Sequence, residues 1–420
     1  MAIIFYHIFL FLYNTSIHIA SLWDIKARHW VEGRKDILNR LRSELSNINP
    51  DSGLIWFHCS SLGEFEQGRP VIEKLKIQYP NSRSLLTFFS PSGFAVRKDY
   101  KGADRVFYLP LDSKKNAKQF FDIANPSLVV FVKYDYWYYY LTESKRRNIP
   151  LLMVSAIFRK DQPFFQWYGS LHRKMLSCFT HFFVQDKESC QLLESINIKD
   201  NVTVSGDTRF DRVSEIAEKF KPIDEIEKFC GSSAVFVAGS TWPNDEKIIK
   251  NATDDFPDLK IIIAPHELHK DHLQQLKLIF PGSIFFSELK ARDRDLKTHN
   301  CLIIDNIGML SKLYHYATIT YLGGGFNKGI HNTLEAAVYG KPVLFGPNYK
   351  KFKEAVGLIE TGGGFPVRSG AELKMQLNKL LNNKDEWRLR CKNSFDFVEK
   401  NKGATREILH YIEENRLLTS

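Results

Sequence analysis

The chain has 420 residues, 44% of them apolar and 25% charged, an ordinary folded composition on a length too great for one core. Length alone therefore predicts two domains of about 200 residues each. The 58 Lys and Arg exceed the 48 Asp and Glu by 10, which suits an anionic partner; nucleic acid is set aside because no RRM, KH or zinc signature occurs. Cys59, Cys178, Cys190, Cys230, Cys301 and Cys391 include no CxxC pair, and the thirteen histidines include no HExxH. Neither a disulfide framework nor a metal site is expected.

Residues 1–23 are rich in Ile, Phe, Leu and Tyr and carry no Lys, Arg, Asp or Glu. Such a stretch just reaches across a bilayer, and it lacks the basic start and small-residue cleavage site of a secretory signal. Lys26, Arg28, Arg34 and Lys35 follow, with Trp23 and Trp30 as interfacial anchors; the basic residues belong on the cytoplasmic side. Segment 1–35 is expected to associate with a membrane, spanning it or lying in its interface. A helix packed on the protein's own core is the alternative.

Apolar runs at 54–59, 84–89, 128–132, 151–154, 181–184 and 202–204 alternate with helical patterns at 71–79, 114–123 and 189–196. This rhythm predicts βαβ units and a parallel sheet. Runs at 235–238, 260–263, 301–304, 318–322 and 342–345 repeat it. The charged stretch 211–228, which contains Lys221–Pro222, marks the boundary between the halves, and 385–418 reads as charged amphipathic helix. In doubly wound folds ligands bind beyond the carboxyl ends of the strands, so a cleft between two such halves is the expected site.

The motifs follow those strand ends. After 54–59 comes SSLGEFEQGRP, where Ser61 and Glu64 have capping-box spacing and Glu64 has the chemistry of a general base; Pro70 starts or kinks the helix. Cys59 beside His58 suggests a nucleophile, but strand neighbours face opposite ways. Thr87, Ser90, Ser92 and Gly93 form a hydroxyl-rich loop suited either to an anionic or sugar group or to a helix cap. The aromatic run 133–140 suits sugar stacking, lipid contact or a packed interior. Arg159, Lys160 and Arg173 are candidate phosphate ligands or solvated charges.

In the second half, AGSTWPNDE places Ser240 and Thr241 at a helix start, and APHELHKDH carries three histidines in no standard zinc spacing. YLGGGFNKGIHNTLEAAVYGKP runs an apolar strand into Gly323, Gly324 and Gly325, then into a helix expected to open at His331, Asn332 and Thr333, with Glu335 in its first turn. A nucleotide or sugar-phosphate site and a tight turn with an Asn332–Glu335 cap both fit. Neither GxGxxG nor a P-loop occurs.

Taken in order, WDIKARHWVEGRKD, WFHCSSLGEFEQGRPVIEKL, LTFFSPSGF, YLPLD, VSGDTRFD, AGSTWPNDE and YLGGGFNKGIHNTLEAAVYGKPVLFGPNYKKFKEA resemble the Kdo (3-deoxy-D-manno-octulosonic acid) transferases of lipopolysaccharide synthesis over nearly the whole chain. The resemblance implies an α/β GT-B fold: two Rossmann-like doubly wound domains with a cleft between them. It divides the chain into a membrane-associating segment (1–35), an acceptor domain (36–215), a CMP-sugar donor domain (216–395) and a C-terminal helix (396–420) that packs back on the first domain. It implies an inverting transferase that moves Kdo from CMP-Kdo to a lipid A precursor (lipid IVA) at the cytoplasmic face of the inner membrane, without cofactor or nucleic acid.

Carried across by motif, Glu64 is the base and Asp135 its companion carboxylate. Ser240, Thr241, Pro265, His266, Gly323, Gly324, Gly325, His331, Asn332, Thr333 and Glu335 serve the donor, the glycine run and helix start holding phosphate and Glu335 the ribose. Ser61, Thr87, Ser90, Ser92, Gly93 and Arg159 serve the acceptor. Where many family members read METELW this chain reads VKYDYW, so that Lys133 and Asp135 replace two Glu, and His266 replaces an Arg. A sugar-nucleotide 2-epimerase, or an inactive membrane-tethered nucleotide-binding protein, are the alternatives.

Overall fold

The computed structural model describes residues 2–46, 53–289 and 299–418. The chain divides into two compact units, Met1–Arg212 with Lys402–Ser420, and Val213–Asn401.

The first unit holds seven parallel strands: β1 (Leu54–Cys59), β2 (Arg83–Phe88), β3 (Arg105–Tyr108), β4 (Pro126–Val132), β5 (Leu151–Ala156), β6 (His181–Val184) and β7 (Val202–Val204), in the order 3-2-1-4-5-6-7. β1 lies centrally between β2 and β4 and is buried along its whole length. Its alternation sorts side chains to two cores. Leu54 and Trp56 join Phe120, Phe121 and Tyr140 on one face. Ile55, Phe57 and Cys59 join Val71, Leu75, Ile408 and Ile412 on the other. The last two belong to helix Ala404–Glu414, whose start is held by Asp211: its carboxylate accepts from the Gly403 and Thr405 amides at 2.6 and 2.7 Å. The single helix expected over 385–418 is thus two, Lys384–Asn401 and Ala404–Glu414.

The second unit repeats the plan with β8 (Val235–Thr241), β9 (Lys260–Pro265), β10 (Ile284–Phe285), β11 (Cys301–Ile303), β12 (Ile319–Leu322), β13 (Val343–Phe345) and β14 (Gly364–Pro366), all parallel in the order 10-11-9-8-12-13-14. Helices Pro243–Thr253, Lys270–Ile279 and Gly370–Asn382 bury Ile249, Leu276, Leu373 and Leu377 against it.

Helix Ala2–Ala20 is long and apolar enough to cross a membrane by length and composition, and little of it is buried. Tyr6 ties it down: its hydroxyl donates to Asp112 at 2.6 Å, and the Tyr139 amide donates to the same carboxylate at 3.0 Å.

Candidate active site

In the first unit the site grows from the turn after β1. Ser61 caps helix Leu62–Gln78, and a full capping box forms as the Ser61 amide donates to the Glu64 carboxylate at 3.2 Å. Pro70 lies inside this helix, which begins well before the residue 71 expected from pattern alone. Capping does not exhaust Glu64. The side chain is almost wholly buried, and its carboxyl is pushed up to about 8, first by burial and then by the charge of Asp135, against the Ser61 and Ser60 amides and Lys133.

Asp135 stands in the turn after β4, 2.6 Å from His58 Nε2, and accepts from the Ser60 hydroxyl and from Trp137 Nε1 at 3.2 Å. Behind it, His58 Nδ1 lies 2.8 Å from Thr87 Oγ, which accepts from Trp56 Nε1 at 2.8 Å. The Trp137 indole N–H also lies 3.2 Å from His58 Nε2, so it is shared between the ring nitrogen and the carboxylate. His58 thus orients Asp135, and Asp135 raises the basicity of Glu64. His58 was not among the expected site residues. Its signal was a polar side chain inside a six-residue buried strand, on the face opposite Cys59, where it needs a partner. Cys59 faces the other core, and burial holds its thiol well above the ordinary range, unsuited to act as a nucleophile.

The expected acceptor residues divide. Thr87 is fully buried and bonded to His58, so it serves the network and offers nothing to a ligand. Ser90 and Ser92 share a hydroxyl bond of 2.7 Å, and the Ser90 amide donates to Ser60 O at 2.7 Å, joining the loops after β1 and β2. Gly93 is buried under Phe88, where a Cβ would fall 2.6 Å from the ring. Arg159 is exposed, and its charge acts on Tyr134 together with Glu64 and Asp135. Lys133 has a left-handed backbone, φ 71°, at the end of β4.

In the second unit the turn after β8 is the counterpart. Ser240 also has a left-handed backbone, φ 53°. The Thr241 hydroxyl, expected at the donor, is fully buried and donates to Glu246 at 3.0 Å; Glu246 also meets His272 Nε2 at 3.0 Å. Asp245 accepts from the Trp242 amide, from the Tyr321 hydroxyl at 2.7 Å and from the Gly324 amide at 2.8 Å. The Gly323 amide donates to Gly239 O. Two of the three glycine amides are therefore engaged within the protein, which corrects their expected role as phosphate donors. Close approach explains the glycines better. A Cβ at Gly323 would fall 2.2 Å from Ser240 O, and one at Gly325 2.5 Å from the Gly346 backbone.

His266 follows Pro265, the last residue of β9. Its amide donates to Thr241 O at 2.9 Å. Its ring stacks on Trp242 at 4.7 Å and approaches His331 at 4.6 Å. Burial and the His266 charge pull His331 down to about 4, so its ring is neutral. The expected helix at 331 begins only at Leu334 and runs four residues. Asn332, just before the Thr333 N-cap, accepts from the Leu334 amide at 3.2 Å and donates to Glu335 at 3.3 Å. The buried Thr333 hydroxyl meets no partner among the described residues, as fits a ligand-facing position. Among the described residues no group of three or more His, Cys, Asp or Glu is arranged to hold a metal ion.

Residues 35–212 match the family model of 3-deoxy-D-manno-octulosonic-acid transferase (kdotransferase). The chain is 28% identical over 374 residues to the 3-deoxy-D-manno-octulosonic acid transferase of Rickettsia felis, covering 86% of this chain and 78% of that one. Over these matches the chain is similar to the Kdo transferase family. Its counterpart from Aquifex aeolicus is 29% identical, with coverages of 80% and 88%. The UDP-GlcNAc 2-epimerase from Neisseria meningitidis superposes with a TM-score of 0.62 at 17% identity, covering 86% of this chain and all of the other. At that identity the likeness speaks for the GT-B fold alone, in which two parallel seven-stranded sheets alternate with helices. These Kdo transferase relatives support a glycosyltransferase of lipopolysaccharide biosynthesis.

Proposed function

We propose that this protein moves Kdo from CMP-Kdo to a hydroxyl of the glucosamine disaccharide of a lipid A precursor (lipid IVA), with inversion. Glu64 takes the hydroxyl proton, the oxygen bonds to the anomeric carbon, and the bond from that carbon to the CMP phosphate breaks, its electron pair leaving with CMP. The observation that carries this reading is the buried carboxyl of Glu64, raised to about 8 beside Asp135. A carboxylate of that basicity accepts a proton from an attacking hydroxyl near neutral pH, whereas an ordinary exposed one is too weak.

On the donor side, His331, Asn332 and Ser240 contact the phosphate and sugar, Glu335 the ribose, and the His266 ring, backed by Trp242, the base. The Gly-rich turn contributes by letting the backbone come close, not through the amides of Gly323 and Gly324. The reading invokes no cofactor beyond the donor. The apolar N-terminal helix and the basic residues after it support a position at the cytoplasmic face of the inner membrane.

The test is incubation with CMP-Kdo, generated in situ, and tetraacylated lipid A precursor, followed by mass spectrometry of the lipid. Addition of Kdo to the lipid is the expected result. A lipid of unchanged mass in the presence of CMP-Kdo contradicts the proposal. UDP-GlcNAc offered alone should be recovered without epimerisation, which separates this reading from the epimerase one.

A further inference from the structure

An apolar cavity of about 1030 Å³ lies on the first unit, against the Asp135 network. One wall is the N-terminal helix, through Ala2, Phe5 and Phe9; the other is the segment from Phe164 to Met175, and Trp137 and Asp135 also line it. The volume is at the upper limit of ordinary ligand pockets. The lining is aromatic and aliphatic, and Trp167 is 90% exposed at its rim. His172, also in the lining, is pulled down by burial and adds no charge at neutral pH. The walls are fixed relative to the site: Tyr6 bonds Asp112, and His7 Nε2 meets the Tyr139 hydroxyl at 2.5 Å.

We propose that this cavity binds a fatty acyl chain of the lipid acceptor, so that the enzyme recognises its substrate by tail as well as by sugar. Three observations converge on an acyl chain. The cavity has few groups to satisfy a polar ligand along its length, so its occupant is apolar there. The helix that forms one wall is the chain's membrane-crossing candidate, so the opening is continuous with a surface on which lipid tails lie. Asp135 is part of the cavity's lining, so the occupant has a polar part there, which an amphiphile with its sugar at Glu64 supplies. The inference rests on the acceptor assignment above and extends it to the tail.

Ser170 lines the cavity, is exposed, and takes no part in the Glu64 network. Ser170→Trp would fill the space without disturbing the core. We expect it to raise KM for the tetraacylated acceptor about tenfold, and to leave kcat/KM for the deacylated disaccharide within about twofold. Equal effects on the two acceptors, or none on either, would overturn the proposal. A second measurement is independent of turnover: photolabelling with the acceptor carrying a diazirine at an acyl terminus, followed by peptide mapping. Labels on Phe5, Phe9 and 164–175 that disappear in Ser170→Trp support the cavity. Labels confined to Ile4, Ile8, Phe11 and Leu12, which are exposed on the N-terminal helix, mean contact with bulk bilayer only and reject it. Equal labelling by a diazirine phospholipid assigns the cavity to membrane lipid and rejects the acceptor. Absence of transfer to either acceptor by the parent enzyme, with these labels present, refutes the transferase reading while the tail site stands.

Discussion

Glu64 combines two demands on one carboxyl: it caps a helix through the Ser61 amide, and burial beside Asp135 raises its proton affinity. If it acts as the base, kcat/KM should climb about tenfold per pH unit below pH 8 and level off above it. A flat profile from pH 6 to 9 would remove it from that role. The same shift has a signed effect on stability. The folded state holds the proton more tightly than the unfolded chain, the carboxyl rising from its ordinary 4.5 to about 8. The stabilisation is therefore full below about 4.5 and is lost as pH rises through about 8. Glu64→Gln, which needs no proton, should be more stable than the parent at pH 9 by on the order of 1–3 kcal/mol, and nearly equal to it at pH 5. Urea denaturation at the two pH values reads this; equal stability at pH 9 would contradict the burial argument. Separately, Glu335→Ala should weaken CMP binding about tenfold by calorimetry, as loss of a charge-assisted hydrogen bond would. Unaltered CMP affinity would refute the ribose role.

At the scale of elements, Gly323 joins β12 to its turn at a point where the Ser240 backbone leaves no room for a side chain. Gly323→Ala should destabilise the second unit by about 1–3 kcal/mol or more through overpacking. A thermal shift within error of the parent would show that the turn relaxes freely. The strands on either side were legible because parallel strands buried on both faces read as continuous apolar runs. Those that were missed were short and lay at or near the sheet edges. β3 is only partly buried, β10 has two residues and β14 ends in proline. Motif order singled out Glu64, Asp135 and the donor loop, and the structure brings the two carboxyls close enough for one to shift the other. The partners Thr87 and Thr241 actually take were not, because each is set by a residue distant in sequence or by register, His58 across the β1–β2 pair and Glu246 one helical turn on. The expected phosphate role of the glycines failed for a related reason: pattern shows that an amide is free to approach, not that Asp245 already holds it.

For the whole molecule, an apolar helix and an excess of 10 positive charges predict two modes of membrane attachment. Flotation with vesicles should show more binding to anionic phosphatidylglycerol than to neutral phosphatidylcholine, a difference that about 0.5 M salt removes while apolar attachment persists. Deleting residues 2–20 should abolish the salt-resistant fraction; its survival would place the anchor elsewhere.

The account depends most on Glu64 as the group that takes the acceptor proton. The direct measurement is transfer by Glu64→Gln, scored as Kdo-modified lipid by mass spectrometry beside CMP binding by calorimetry. Turnover should fall by about 10²–10⁴-fold, as expected for loss of a general base, with CMP affinity unchanged. Undiminished transfer by that variant would contradict the mechanism.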